Sequence, residues 1–157
     1  MKCVLILVGK TTDRYLVDGV TKYLERINHY LNFEPLIISE LKNAKSLTFE
    51  QQKEQEGIAI LKILSPSDDV ILLDEKGQSY TSEEFASWME KKMVESTKRL
   101  VFVIGGPYGF SSKVYERATQ KLSLSKMTFS HQMIRLLFVE QMYRAMTILK
   151  GEPYHHI

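Results

Sequence analysis

One cysteine among 157 residues excludes an intrachain disulfide and every CxxC zinc framework. Cys3 lies inside the apolar run Cys3-Val4-Leu5-Ile6-Leu7-Val8, so it reads as a small buried hydrophobe rather than a nucleophile, in a chain suited to a reducing compartment. That run gives way to Gly9-Lys10 instead of a small-residue cleavage site, and no signal peptide is expected. No stretch approaches the ~20 apolar residues of a membrane span. Four prolines, eight glycines and no low-complexity tract argue against a long disordered tail. An excess of one charge is missing as well: a net charge of +2 neither proves nor excludes a nucleic-acid partner.

What is present fits one domain, since a chain of this length buries roughly 70% of its unfolded surface around a single core. After the first apolar run, Tyr15, Leu16, Val20, Tyr23, Leu24, Ile27 and Leu31 recur at three- and four-residue spacings, which predicts a helix. Pro35-Leu36-Ile37-Ile38 reads as a second strand, and Leu41 to Leu47 as a polar loop. Thr48 with Gln51, and Thr81 with Glu84, have capping-box spacing. The first opens a helix carrying Ile58, Ile60, Leu61 and Leu64, the second one carrying Phe85, Trp88, Met89 and Met93. Between them lies the strand Val70 to Leu73, closed by the turn Asp74-Glu75-Lys76-Gly77. Leu100 to Ile104 is a fourth strand, Lys113 to Thr119 a short helix, and Leu122 to Ser125 a fifth strand.

The final helix, about Ser130 to Lys150 with Gly151 as its cap, is apolar on more than one face. It is either a central helix, or a terminal one that divides its apolar surface between its own core and a second subunit; the second arrangement is the expectation. Strands alternating with helices make the chain, residues 1–157, a single α/β domain with a mainly parallel sheet.

Ligands of such sheets gather beyond the carboxyl ends of the strands, which directs attention to the loops after Leu73, Ile104 and Leu124. Gly105-Gly106-Pro107-Tyr108-Gly109 fits a tight strand-to-helix turn or a loop that lets a ligand approach the backbone. It is neither a P-loop nor a Rossmann fingerprint, so a nucleotide triphosphatase and a conventional dehydrogenase lose support. Asp74 and Glu75, adjacent on a turn, are expected to point apart into solvent. His131 and Arg135 are four apart and share a helix face, with capping, packing and catalytic roles all open to His131. No H-E-x-x-H or Cys/His set supports a metal. From residue 111 onward seven Lys/Arg face three Glu, a net of +4, while the first 110 residues sum to −2. That asymmetry suits a phosphate-bearing partner or a solvated surface.

Four strings in order, LDEKGQSYTSEEFA (Leu73–Ala86), FVIGGPYGFS (Phe102–Ser111), LSLSKMTFSHQMIRLLFVEQMYRA (Leu122–Ala145) and EPYHH (Glu152–His156), resemble the RlmH family, formerly YbeA, of SPOUT-class methyltransferases. The resemblance covers essentially the whole chain. It implies a carboxyl-terminal trefoil knot, an exception to the unknotted rule. It also implies S-adenosyl-L-methionine held by Leu73, Gly105, Leu124, Ser125, Lys126, Met127, Thr128 and Phe129, and methylation of N3 of a pseudouridine in 23S rRNA on the assembled ribosome. His131 or His155 would serve as base, with Arg135 and Arg144 holding phosphate or the uracil anion, and Tyr154 would stack on a base or order the tail. A cytoplasmic homodimer acting on RNA rather than DNA, with no membrane partner, follows from the same resemblance. Ser130 stands where relatives often have Pro, and His156 where Lys or Arg is common. An RNA-binding module without catalysis and a phosphate-ester hydrolase are the other classes considered; the hydrolase would need a nucleophile or metal constellation.

Overall fold

The computed structural model describes residues 1–95 and 98–156. In chain order the elements are β1 (Lys2–Val8), α1 (Arg14–Ile27), β2 (Asn32–Ile38), α2 (Phe49–Ile63), β3 (Asp69–Ser79), α3 (Ser82–Val94), β4 (Arg99–Ile104), α4 (Ser112–Arg117), β5 (Gln120–Ser123) and α5 (Met133–Leu149). The strands form one parallel sheet in the order β2-β1-β4-β3-β5.

Alternation along β1 shows why both faces must be covered. Cys3, Leu5 and Leu7 point into a core shared with α1, α3 and α5, while Val4, Ile6 and Val8 point into a second core under α2 and α4. Burial pushes the Cys3 thiol up to about 12, which leaves it protonated and inert. Both capping boxes form: Thr48 Oγ1 accepts from Gln51 N at 3.1 Å, and Thr81 Oγ1 from Glu84 N at 3.1 Å. Tyr15 and Ile58, counted on apolar helix faces from their spacing, are 60% and 57% exposed, and Leu31 lies beyond the end of α1.

The expected turn at Asp74 to Gly77 is instead an irregularity inside a longer β3. Leu122 of β5 pairs with both Leu73 and Gln78, so the strand bulges between them. A Cβ at Gly77 would stand 2.6 Å from the backbone carbon of Lys121, so only glycine lets the two chains pass this closely.

Helix α5 lies between α1 and α3 against the sheet. Phe138, Val139, Met142, Ala145 and Met146 are buried in the core, and Leu136 packs over Gly19 of α1. The chain therefore accounts for most of the apolar surface of α5 internally. Within one chain the helix is thus placed as the central-helix alternative describes, packed between α1 and α3. Among the described residues no helix is long and apolar enough to cross a membrane.

Candidate active site

The bulge of β3 and the carboxyl ends of β4 and β5 surround a cleft of about 370 Å³. Leu73, Asp74 and Glu75 form one wall, Ile104 to Phe110 another, and Leu124, Ser125, Met127, Thr128 and Phe129 a third, with His131 and Ile134 at its base. Of the residues expected to hold the cofactor, Leu73, Gly105, Leu124, Ser125, Met127, Thr128 and Phe129 meet here; Lys126 is exposed and stands outside the lining.

Each wall is fixed by local chemistry. Ser123 Oγ donates to Ser125 O at 2.9 Å and Ser125 Oγ accepts from Met127 N at 3.0 Å, which curls the loop after β5. Thr128 donates to the Glu75 carboxylate, joining that loop to the bulge of β3. Tyr115 donates to Asp74 Oδ2 at 2.6 Å, and burial together with this carboxylate raises the phenol's pKa. Asp74 and Glu75 are thus tied into the cleft walls by side-chain bonds, with Glu75 still exposed to solvent. Sequence pattern flagged the loop but not the pair, because their partners lie 41 and 53 residues away.

The glycine loop rests on a buried carboxylate. A Cβ at Gly106 would stand 2.8 Å from Glu56 Oε1, and one at Gly105 2.9 Å from the Phe110 ring. Glu56 is only 6% exposed and accepts from Gln52 at 3.3 Å. Burial raises its pKa, the Gln52 bond opposing more weakly. The folded state then holds this proton more tightly than the unfolded chain, so the penalty of the ionised form is present at neutral pH and is relieved as pH falls through the raised value. Glu56→Gln is expected to melt a few degrees above the parent at pH 7.5, with the gap closing toward pH 5. A gap that stays constant across that range would show the carboxylate to be unpenalised.

His131 borders the cleft, half-buried. Burial, then the charge of Arg135, holds its pKa below the ordinary range against a smaller pull from Glu40, which keeps the ring neutral at physiological pH. Arg135 does not face the cleft. It is 0% exposed and its guanidinium donates to Val8 O at 2.8 Å, Gly9 O at 2.9 Å, Thr11 Oγ1 at 3.0 Å and His131 O at 3.0 Å. As placed, it ties the loop after β1 to the start of α5 rather than presenting its charge to phosphate. Gln132 adds to the tie, donating to Lys10 O and accepting from Thr12 N, both at 2.9 Å. Ser130 Oγ accepts from Met133 N at 3.0 Å and caps α5.

Tyr154 and His155 lie elsewhere, on a tail that folds back along the outer side of α5. Tyr154 donates to Glu140 Oε1 at 2.9 Å, packs edge-on against Tyr143 and lies under the Arg144 guanidinium, 4.6 Å from its ring centre. Arg144 Nη1 donates to His155 Nδ1 at 3.1 Å, leaving His155 Nε2–H to donate to Glu83 Oε1 at 3.0 Å. Neither side chain borders the cleft of its own chain. Arg144 is engaged by Glu140 at 2.7 Å and Arg117 by main-chain carbonyls. Part of the basic excess of the carboxyl-terminal third is therefore consumed within the fold.

The arrangement offers apolar walls, main-chain polar groups and a close backbone approach at Gly105, at the position where open parallel sheets hold ligands. A model of the family described as predicted SPOUT methyltransferase matches residues 1–155. A Bacteroides fragilis protein named ribosomal RNA large subunit methyltransferase H is 62% identical over 156 residues, which cover 99% of each chain. One of the same name from Phocaeicola vulgatus is 58% identical with the same coverage. Among solved structures, a probable methylase family protein of Haemophilus influenzae aligns with a TM-score of 0.52 at 14% identity, over 99% of this chain and 70% of that one. At that identity what is shared is the fold.

Proposed function

The chain belongs to the SPOUT methyltransferases, among the ribosomal RNA large subunit methyltransferase H proteins, and from that premise we propose that it methylates N3 of a pseudouridine in large-subunit rRNA using S-adenosyl-L-methionine. The observation that carries the reading is the cleft, in which seven of the eight residues expected around the cofactor converge. Its volume and its mix of apolar walls and backbone groups suit a ligand of that size, and the Gly105 cradle is one that a side chain would fill. S-adenosyl-L-methionine supplies an electrophilic methyl on its sulfonium when bound.

The protein's part is to position and to exclude water. Leu73 and Leu124 furnish apolar surface, Gly105 allows backbone approach, and the Thr128–Glu75 clasp holds the third wall in place. Neutral His131 is in the form that accepts a proton from the weakly acidic N3–H of the target base. His155 and Tyr154 would act on RNA held outside this chain's own cleft, in keeping with a homodimer whose two subunits share the substrate. Met133 and Leu137, partly exposed on α5, leave apolar surface for such a subunit contact. The knotted threading of the SPOUT class and a cytoplasmic location belong to the same reading.

Labelled methyl transfer to assembled ribosomes, compared with naked rRNA and followed by mapping of the modified nucleotide, tests this reading. Incorporation at one pseudouridine, greater on ribosomes, is expected. Folded protein that binds S-adenosyl-L-methionine yet modifies neither substrate would overturn it.

A further inference from the structure

Beside the cleft stands an aromatic pair that the reading above does not use. Phe49, the first residue of α2, is 63% exposed, and Tyr108 of the glycine loop is 40% exposed. Their rings stack with centroids 4.0 Å apart and planes inclined by 19°. Stacking covers one face of each ring and leaves the remaining surface to water, at a cost in apolar exposure that no hydrogen bond of a phenylalanine offsets. Both partners sit on fixed backbone: the Thr48–Gln51 capping box sets the first turn of α2, and Gly109 N donates to Gly106 O at 3.3 Å across the turn that holds Tyr108.

Tyr108 borders the cleft and Phe49 does not, so the pair forms a ledge leading outward from the cleft wall. The neighbouring Lys53 is engaged by Glu50 at 2.7 Å, so what the ledge presents is aromatic rather than cationic. An exposed aromatic face of this kind matches an unstacked nucleobase, which offers a planar π surface of any sequence. Tyr154, the aromatic expected to stack on a base, is held instead by Glu140, Tyr143 and Arg144.

We propose that the Phe49–Tyr108 pair is a stacking site for one unpaired rRNA base flanking the target, holding the strand at the mouth of the cleft. The proposal rests on the reading of the chain as an rRNA methyltransferase. The cofactor's adenine is the other source of the same chemistry, but Phe49 lies outside the cleft whose walls would enclose it.

The test compares Phe49→Leu, which keeps apolar packing on Tyr108, with Phe49→Trp and Phe49→Gln. Each variant is titrated separately with S-adenosyl-L-methionine by calorimetry and with purified large ribosomal subunits at fixed salt. Phe49→Leu is expected to weaken subunit binding roughly 5- to 50-fold, as for other base–aromatic stacks. Phe49→Trp should restore it, with cofactor affinity unchanged throughout. Unaltered subunit binding by Phe49→Leu and Phe49→Gln would reduce the pair to a packing latch and overturn the proposal. So would a loss confined to cofactor affinity, which would assign the pair to adenine. Wild-type protein that binds subunits without methylating them would defeat the functional reading while a Phe49→Leu loss still upheld the base site. Wild-type protein that binds no subunits would defeat both.

Discussion

Arg135→Met is expected to lower the unfolding free energy by about 3 kcal/mol. Met occupies most of the volume, so the cost comes mainly from the carbonyls of Val8 and Gly9, whose bonds to the guanidinium are buried, with a smaller share from the part-buried bond to His131 O. Part of that cost is returned because an arginine buried without a close carboxylate is itself expensive, as its lowered pKa reflects. Arg135→Lys should recover only a fraction, since an ammonium cannot span acceptors arranged for a planar fork. Urea unfolding of the three proteins measures this directly. A Met variant within ~1 kcal/mol of the parent would show the acceptors to be satisfied in another way, and would reopen a role for Arg135 toward RNA.

Gly105→Val is expected to weaken S-adenosyl-L-methionine at least about 100-fold while the protein stays folded. The first carbon of any side chain there meets the Phe110 ring at 2.9 Å, and that ring is 7% exposed and set edge-on to Tyr115. Valine therefore drives either the ring into α4 or the loop into the cleft, a form of overpacking. Gly109 is the useful contrast. Its φ of +87° makes alanine strained, but nothing lies within 4 Å of the added carbon, so Gly109→Ala should cost only ~1 kcal/mol of stability and little affinity. Calorimetry on thermally verified protein distinguishes the two. Normal cofactor affinity in Gly105→Val would remove this loop from the binding site.

Much of the fold was legible because its signals are local. Thr48 and Thr81 announce their helices from three residues away, and the run Leu100 to Ile104 can only be a strand buried on both faces. The three loops flagged after strands are the ones that build the cleft. What pattern could not supply are pairings set by distant chain. The spacing of His131 and Arg135 suggested a shared functional face, yet Arg135 turns inward to carbonyls more than 120 residues earlier. Asp74 and Glu75 looked like a plain turn because the side chains that tie them to the cleft, Tyr115 and Thr128, are far along the chain. The apolar girth of α5 spoke of burial on several sides without saying by what, and α1 and α3 supply it. The pairing of Phe49 with Tyr108 gave no signal, even though Tyr108 lies in a flagged loop, since the two are separate aromatics until α2 and the glycine loop are brought together.

The tie between Arg135 and the carbonyls of Val8 and Gly9 also bears on the order in which the protein is made and finished. β1 is an interior strand, so its β4 neighbour is synthesised about a hundred residues after it, and the cation that settles its last carbonyls comes 126 residues after Gly9. An amino-terminal half emerging from the exit tunnel thus has an unpaired strand edge and two orphan acceptors that no earlier segment satisfies. Its native state forms only once α5 is free of the tunnel, so a protein read here as acting on ribosomes must leave its own before it can fold.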